Sequence, residues 1–177
     1  LDSEIDFSGK IKITKSNHIF LENLSINNNS NVKLNLSGDL SERILNLNIT
    51  GSIIDLSANK VETKKKERDY YLNEENYSIN TDEVIFAESV RVNDFKAGIE
   101  KQGSTLTVNS RAYFMGHELN YSREKNDKID VNIINSSDIT YFVNDNHPAK
   151  KLLSDGESKM TSIRNLNTQE ADVQINL

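Results

Sequence analysis

The chain has 177 residues, of which 36% are hydrophobic and 27% are charged, and its formal net charge is −6. This composition allows one medium domain or one long sheet with a thin core. Seven Gly and one Pro exclude a collagen-like or low-complexity chain. The absence of Cys excludes disulfides and thiolate chemistry. The interspersed, acidic charge pattern argues against a nucleic-acid partner.

Residues 1–57 alternate between apolar and polar side chains with a period of two, which predicts half-buried β-strands. The predicted strands cover 4–14, 18–26, 32–36 and 43–55. In the last of these, Gly51 interrupts the alternation and marks a predicted bend. The spacing of the strands is typical of an antiparallel meander.

A charged and polar insertion, 58–80, is predicted to separate this first sheet section from a second one at 81–177. The run Lys64-Lys65-Lys66 within it is open to two interpretations, a contact with anionic lipid head groups or a solvated insertion. The flanking acidic residues favour the solvated insertion.

Alternation resumes at Val84 and predicts further strands, separated by turn sequences at 102–103, 115–117 and 123–127. Pro148, followed by Gly156, indicates one short helix near 148–154. The tail at 171–177 returns to strand alternation. Residues 137–145, which precede this helix, are predicted to form either a strand or a second short helix.

The fold class predicted from these patterns is mostly β: an extended, curled antiparallel sheet, shaped as an open groove or a taco, with one or two short helices. Because one face of most strands is apolar, the sheet must bury one side. A second sheet, the curl of the sheet itself or an acyl chain would each cover that side.

No catalytic, metal or cofactor site is predicted, and the chain is not expected to be an enzyme. His18, His117 and His147 are isolated in the sequence, and no two have the spacing of metal ligands. No nucleophile elbow, phosphate-binding loop or dinucleotide fingerprint occurs.

The segment GDLSERILNLNITGSIIDLSANKV, which begins at Gly38, resembles the AsmA-like family of bacterial envelope proteins, of the YhdP and TamB kind. A strand there leads through Gly51 into a turn formed by a hydrophobic residue followed by Asp55, Leu56 and Ser57. The resemblance continues through later strands to Ser137-Asp138 and the predicted helix. The chain also opens without Met or a signal peptide, and we interpret it as a piece of a longer protein.

The resemblance implies a periplasmic segment of a bridge-like lipid-transfer protein, anchored in the inner membrane by a segment outside this chain. Its apolar groove would carry phospholipid acyl chains between the inner and outer membranes or serve envelope maintenance. The expected partners are these acyl chains, the remainder of the same polypeptide and envelope proteins. The residues predicted to line the groove are Leu34, Leu36, Leu45, Leu47, Ile49, Val84, Phe86, Val90, Val92, Leu106, Val108, Ile129, Val131 and Ile133.

Two other functions remain open at this stage. The first is a structural or adhesive β-sandwich module of a surface or secreted protein, in which the same apolar residues form an ordinary closed core. The second is a β-helix enzyme acting on carbohydrate, which would require paired carboxyl groups in a cleft. Nothing local in the sequence supports that second function.

Overall fold

The computed structural model describes residues 5–28, 32–56, 72–87, 90–137 and 158–176. Within these ranges the chain forms one sheet of eleven strands, ordered in space as in sequence. The strands are β1 (Ile5–Ile13), β2 (Ile19–Asn28), β3 (Val32–Ser41), β4 (Ile44–Asp55), β5 (Glu74–Ala87), β6 (Val90–Gln102), β7 (Thr105–Phe114), β8 (His117–Lys125), β9 (Ile129–Ser136), β10 (Ser158–Asn165) and β11 (Ala171–Asn176).

The mostly β architecture and the open antiparallel sheet are as predicted, but two details are corrected. The sheet is open and uncurled, so the predicted taco-like curl is wrong. The described residues contain no helix, and the helix predicted near 148–154 lies outside them. Period-2 alternation specifies which residues share a face, but it carries no information on how strongly the sheet bends.

The pairing of β4 with β5 is parallel, whereas all other neighbouring strands are antiparallel. The connection between these two strands runs through 57–71, outside the described residues. Strand β5 begins at Glu74, so the predicted insertion 58–80 includes the first seven residues of a strand. The two predicted sheet sections are therefore joined side by side in one continuous sheet.

The hairpin turns are formed by residues with positive φ. Glu42 and Arg43 connect β3 to β4 with φ of 47° and 67°, and Met115 and Gly116 connect β7 to β8 with φ of 51° and 85°. Two consecutive residues with positive φ characterise the type I′ turn, whose twist matches that of the flanking strands. The predicted turn at 115–117 is confirmed, and the β3–β4 turn lies at Glu42 and Arg43, between the two strands.

An irregularity crosses the middle of the sheet. The β3–β4 register shifts between Lys33 and Leu34, and the β6–β7 register shifts between Asn93 and Lys96. At the first of these shifts, a Cβ on Gly51 would lie 2.2 Å from the carbonyl oxygen of Lys33. Gly51 is therefore required by the close approach of two backbones, which agrees with the bend predicted there.

Candidate ligand-binding surface

The candidate functional surface is the apolar face of the sheet. Side chains of residues directly opposite each other on neighbouring strands lie on the same face, so the register traces a row across the sheet. The central row crosses ten strands and contains one residue from each of β2 to β11. Its members are Leu24, Leu36, Ile49, Ile79, Ala97, Ser110, Tyr121, Ile134, Met160 and Ile175.

A second row on the same face runs beside the central row, two residues away on most strands and three on β2, where the register shifts. It is apolar over the first seven strands, polar on β8 to β10 and apolar again on β11. Its members are Ile11, Leu21, Gly38, Leu47, Tyr77, Ile99, Val108, Arg123, Asn132, Ser162 and Val173. The apolar face is thus wide on β2 to β7 and narrow on β8 to β10.

The densest packing on this face lies beside the backbone irregularity. Val84, Val92, Ala112 and Phe114 form a buried cluster, and Ile54 and Phe95 pack against it. Val84 is only 2% exposed. This cluster bridges β4 to β7 and supplies the core of the described sheet.

No second layer covers the apolar face in the part of the chain that the structure describes. All strand pairs in substantial contact there are neighbours within the sheet. Large apolar side chains remain exposed at both edges, with Ile13 at 67% on β1 and Val173 at 55% on β11. A contiguous uncovered apolar surface of this kind marks an interaction site or an assembly interface.

The structure brings eight of the predicted lining residues together on the apolar face, on the two rows described and on the rows beside them. These are Leu34, Leu36, Leu45, Leu47, Ile49, Val92, Leu106 and Val108. Val84 belongs to the buried cluster of the same face. Phe86 and Val90 lie next to the undescribed residues 88–89 and are 47% and 37% exposed.

The predicted lining needs a correction at β9. Ile129, Val131 and Ile133 lie on the opposite face, because Ile133 is opposite Ser122 and Val131 is opposite Glu124. A one-residue difference in register exchanges the two faces of a strand. Strand β9 turns Asp130 and Ile134 toward the apolar face instead, and Asp130 is held there by Arg123.

Sequence reasoning missed several residues of the two rows. Ile79 and Tyr77 fall within the segment interpreted as an insertion, because Asn76, Ser78 and Asn80 alternate with them. That alternation was the signal for a strand with one polar face. Met160 on β10 was missed as well, since Met160 and Ile163 are the only apolar residues of SKMTSIRN and lie three positions apart, which gives no alternation.

Charged groups lie at one end of the apolar face. The Nζ of Lys101 donates a 2.6 Å hydrogen bond to Glu75, which also accepts a 2.6 Å hydrogen bond from the hydroxyl of Tyr77. Burial opposes ionisation of Glu75, but these hydrogen bonds outweigh it and the pKa of the carboxyl is lowered. Glu75 is therefore a paired carboxylate rather than a proton donor.

A second ion pair lies farther along the same end, on β8 and β9. The guanidinium of Arg123 donates two hydrogen bonds to the carboxylate of Asp130, at 2.8 Å and 2.5 Å. These bonds lower the pKa of Asp130 against a smaller opposing effect of burial. The bidentate geometry orients both side chains and keeps Asp130 ionised.

The opposite face is polar along its central row, although Ile129, Val131 and Ile133 of β9 also lie on it. Its central row crosses all eleven strands and contains Ser8, Ser25, Asn35, Thr50, Asn80, Lys96, Arg111, Asn120, Asn135, Lys159 and Asn176. A shallow depression of about 640 Å³ lies over the middle of this row, around Lys96 and Arg111. Amide and hydroxyl side chains dominate its lining, which is suited to contact with water or polar ligands.

Within the described ranges, no three His, Asp or Glu side chains are grouped so that they could hold a metal ion. His18 precedes β2 and His117 begins β8, far apart in the sheet order, and His147 falls outside the described residues. No helix in the same ranges is long and apolar enough to cross a membrane.

Comparison of the chain with protein-family models, with curated protein sequences and with solved structures found no match.

Proposed function

We propose that this chain binds phospholipid acyl chains along the apolar face of its sheet, as a periplasmic segment of an AsmA-like envelope protein that moves lipid between the inner and outer membranes. The observation that carries the proposal is the central row, which is apolar on the strands from β2 to β11 except at Ser110 on β7 and has no covering layer in the described residues. In this role the chain is anchored by a segment outside it, and it performs no covalent chemistry.

The dimensions of the face suit an acyl chain. Ten strands about 4.8 Å apart make the central row about 43 Å long, compared with about 30 Å for the hydrocarbon core of a bilayer. Each fully buried CH₂ contributes about 0.8 kcal/mol. An acyl chain of about fifteen CH₂ groups that buries half of its surface would then gain roughly 6 kcal/mol, which favours binding while still allowing movement.

The alternative is a structural module whose apolar face is covered by the remainder of the same polypeptide or by an envelope protein. The sheet is open and uncurled, so it does not enclose a groove by itself. Its apolar face can instead be covered by a second sheet, which packs face to face at about 10 Å, and this favours the structural module over a closed groove. In that case the apolar face is a core surface and is never free to hold lipid.

The test uses lipid that co-purifies with the chain. Native mass spectrometry and lipid extraction should detect phospholipid in the wild-type protein. Leu47→Asp places a charge in the second row of the apolar face, between Gly38 and Tyr77, and should abolish lipid occupancy. The matched control, Asn48→Asp, adds the same charge one residue away, on the polar face.

The control variant should retain its lipid, since Asn48 is opposite Ser37 and Ser78 on the wet side. Circular dichroism establishes that both variants are folded. If the wild type carries no lipid and binds none that is added, the acyl-chain proposal is wrong and the structural module is favoured. If Asn48→Asp loses lipid while Leu47→Asp keeps it, the binding face has been assigned to the wrong side.

A further inference from the structure

Between β7 and β10 the side chains of the apolar face become charged, and three cations surround one carboxylate. Asp130 on β9 is directly opposite Lys125 on β8 and Arg164 on β10. Arg123 reaches the same carboxylate through its bidentate pair. We call Arg123, Lys125 and Arg164 the basic strip, and it surrounds a single acidic side chain, Asp130.

The strip carries more positive charge than Asp130 neutralises. Both carboxylate oxygens of Asp130 accept hydrogen bonds from the Arg123 guanidinium, at 2.8 Å and 2.5 Å. In the described residues, Lys125 and Arg164 lie within ion-pair distance of no carboxylate, and Arg164 instead donates a 2.6 Å hydrogen bond to Gln169. The charge of Lys125 also acts on the Asp130 carboxylate. The three cations of the strip together exceed the single negative charge of Asp130 by two.

The strip directly borders apolar side chains of the same face. Lys125 is opposite Leu106, and Arg123 is opposite Val108. Tyr121 of the central row follows Arg123 on β8, and on β9 Asn132 lies between Asp130 and Ile134 of the central row. A molecule lying on the central row can thus place an apolar chain over β2 to β7 while its polar end reaches the basic strip.

We propose that the chain prefers phospholipids whose head group carries a net negative charge, with the phosphate held by Lys125 and Arg164 at the end of the apolar face. This inference rests on the proposed function and adds the class of lipid. The charge of the whole chain does not produce such a preference, because the formal net charge of −6 repels anions. The attraction is local to the strip.

Two soluble lipids with the same acyl chain provide the test. Lauroyl lysophosphatidylglycerol has a net charge of about −1, and lauroyl lysophosphatidylcholine is zwitterionic. Titration calorimetry below their critical micelle concentrations, with the whole 177-residue chain, should give about tenfold tighter binding of the phosphatidylglycerol form at low salt. The preference should shrink in about 0.5 M NaCl, where the charges are screened.

The double variant Lys125→Gln, Arg164→Gln should bind both lipids with the affinity that the wild type has for lysophosphatidylcholine. The matched control is Lys96→Gln, Lys159→Gln, which removes the same charge from the central row of the polar face. It should keep the tenfold preference. Glycerol 3-phosphate, which lacks an acyl chain, should bind neither variant nor the wild type at comparable concentrations.

The outcomes separate the inference from the function on which it rests. Equal affinity of the wild type for the two lipids overturns the inference and leaves acyl-chain binding intact. Loss of the preference in the Lys96 and Lys159 control also overturns it, since the attraction would then depend on total charge. Binding of glycerol 3-phosphate as tight as that of the lysolipid would indicate a plain anion site. Failure of both lipids to bind the folded wild type refutes the proposed function itself.

Discussion

Replacing Thr81 by Val should stabilise the protein, because Thr81 holds a buried hydroxyl without a hydrogen-bond partner. Thr81 is 2% exposed and lies on the apolar face, opposite Gly51 on β4 and Phe95 on β6. Its Oγ1 is buried and makes no hydrogen bond in the described structure. Val has nearly the same shape and replaces the hydroxyl by a methyl group.

The magnitude follows from the cost of the unsatisfied group. A buried hydroxyl without a partner costs about 1–3 kcal/mol, and its replacement by an apolar group of the same shape removes that cost. We expect the free energy of unfolding to rise by about 1–2 kcal/mol, measured by urea denaturation and followed by circular dichroism. The slope of the transition should stay unchanged, because the same surface is exposed on unfolding.

The control is Thr50→Val, on the adjacent strand β4 but in the central row of the polar face. Its effect should stay within about 0.5 kcal/mol, as for other surface positions. Destabilisation by Thr81→Val would refute the reasoning, because it would mean that the hydroxyl has a partner in solution. A bound ligand or an ordered water would then be the first candidate.

Two further predictions concern the backbone and the ion pair. Gly51→Ala should lower the free energy of unfolding by about 2 kcal/mol or more, because the added Cβ would lie 2.2 Å from the Lys33 carbonyl oxygen and the backbones must separate. Urea denaturation measures this loss, and an unchanged midpoint of the transition would contradict the prediction. The lowered pKa of Asp130 means that its contribution to stability is present above the unfolded pKa of 3.8 and is lost as the pH falls through the folded value. Thermal unfolding of Asp130→Asn and wild type should therefore differ near pH 7 and converge at acidic pH, once Asp130 is protonated in the folded state as well. A difference that persists there would show that packing, not ionisation, is responsible.

The strands of the first section could be predicted because their alternation is simple. Leu45, Leu47 and Ile49 point to one face, and the polar residues between them point to the other, so the pattern matches only one register. Gly51 was predicted to mark a bend, and the structure adds that the backbone of Lys33 approaches it closely, which is the other common reason for a Gly within a strand. Thus the apolar face of β3 and β4 was correctly assigned from sequence.

The polar face of β5 and the register of β9 were harder to predict for physical reasons. Residues 74–80 contain Asn and Ser at every second position, and these residues are depleted in strands when considered singly. In β9, Ile133 and Ile134 are adjacent, so either alternation is consistent with the sequence. The register of β9 against β8 decides the face, and contacts between the strands, such as the bond between Arg123 and Asp130, accompany it.

Parallel pairing between β4 and β5 and the absence of curl are properties of the whole sheet. Alternation is the same in parallel and antiparallel strands, and the direction of a neighbour depends on the connection between them. The connection at 57–71 is long enough for a crossover, but its charged composition suggested only an insertion. Curl depends on bulges and twist summed over many strands, which no single segment encodes.

The distribution of buried residues links the proposed function to the stability of the sheet. The buried cluster of Val84, Val92, Ala112 and Phe114 lies on β5 to β7, whereas β1 and β11 carry apolar side chains that are more than half exposed. The outer strands thus gain little from burial within the described chain, and they are stabilised mainly by pairing with one neighbour. Any occupant of the apolar face, whether acyl chain or protein, binds the folded sheet and not the unfolded chain, so it must stabilise the sheet. Because the central row reaches Ile175 on β11, that stabilisation extends to the outer strand on this side as well as to the core.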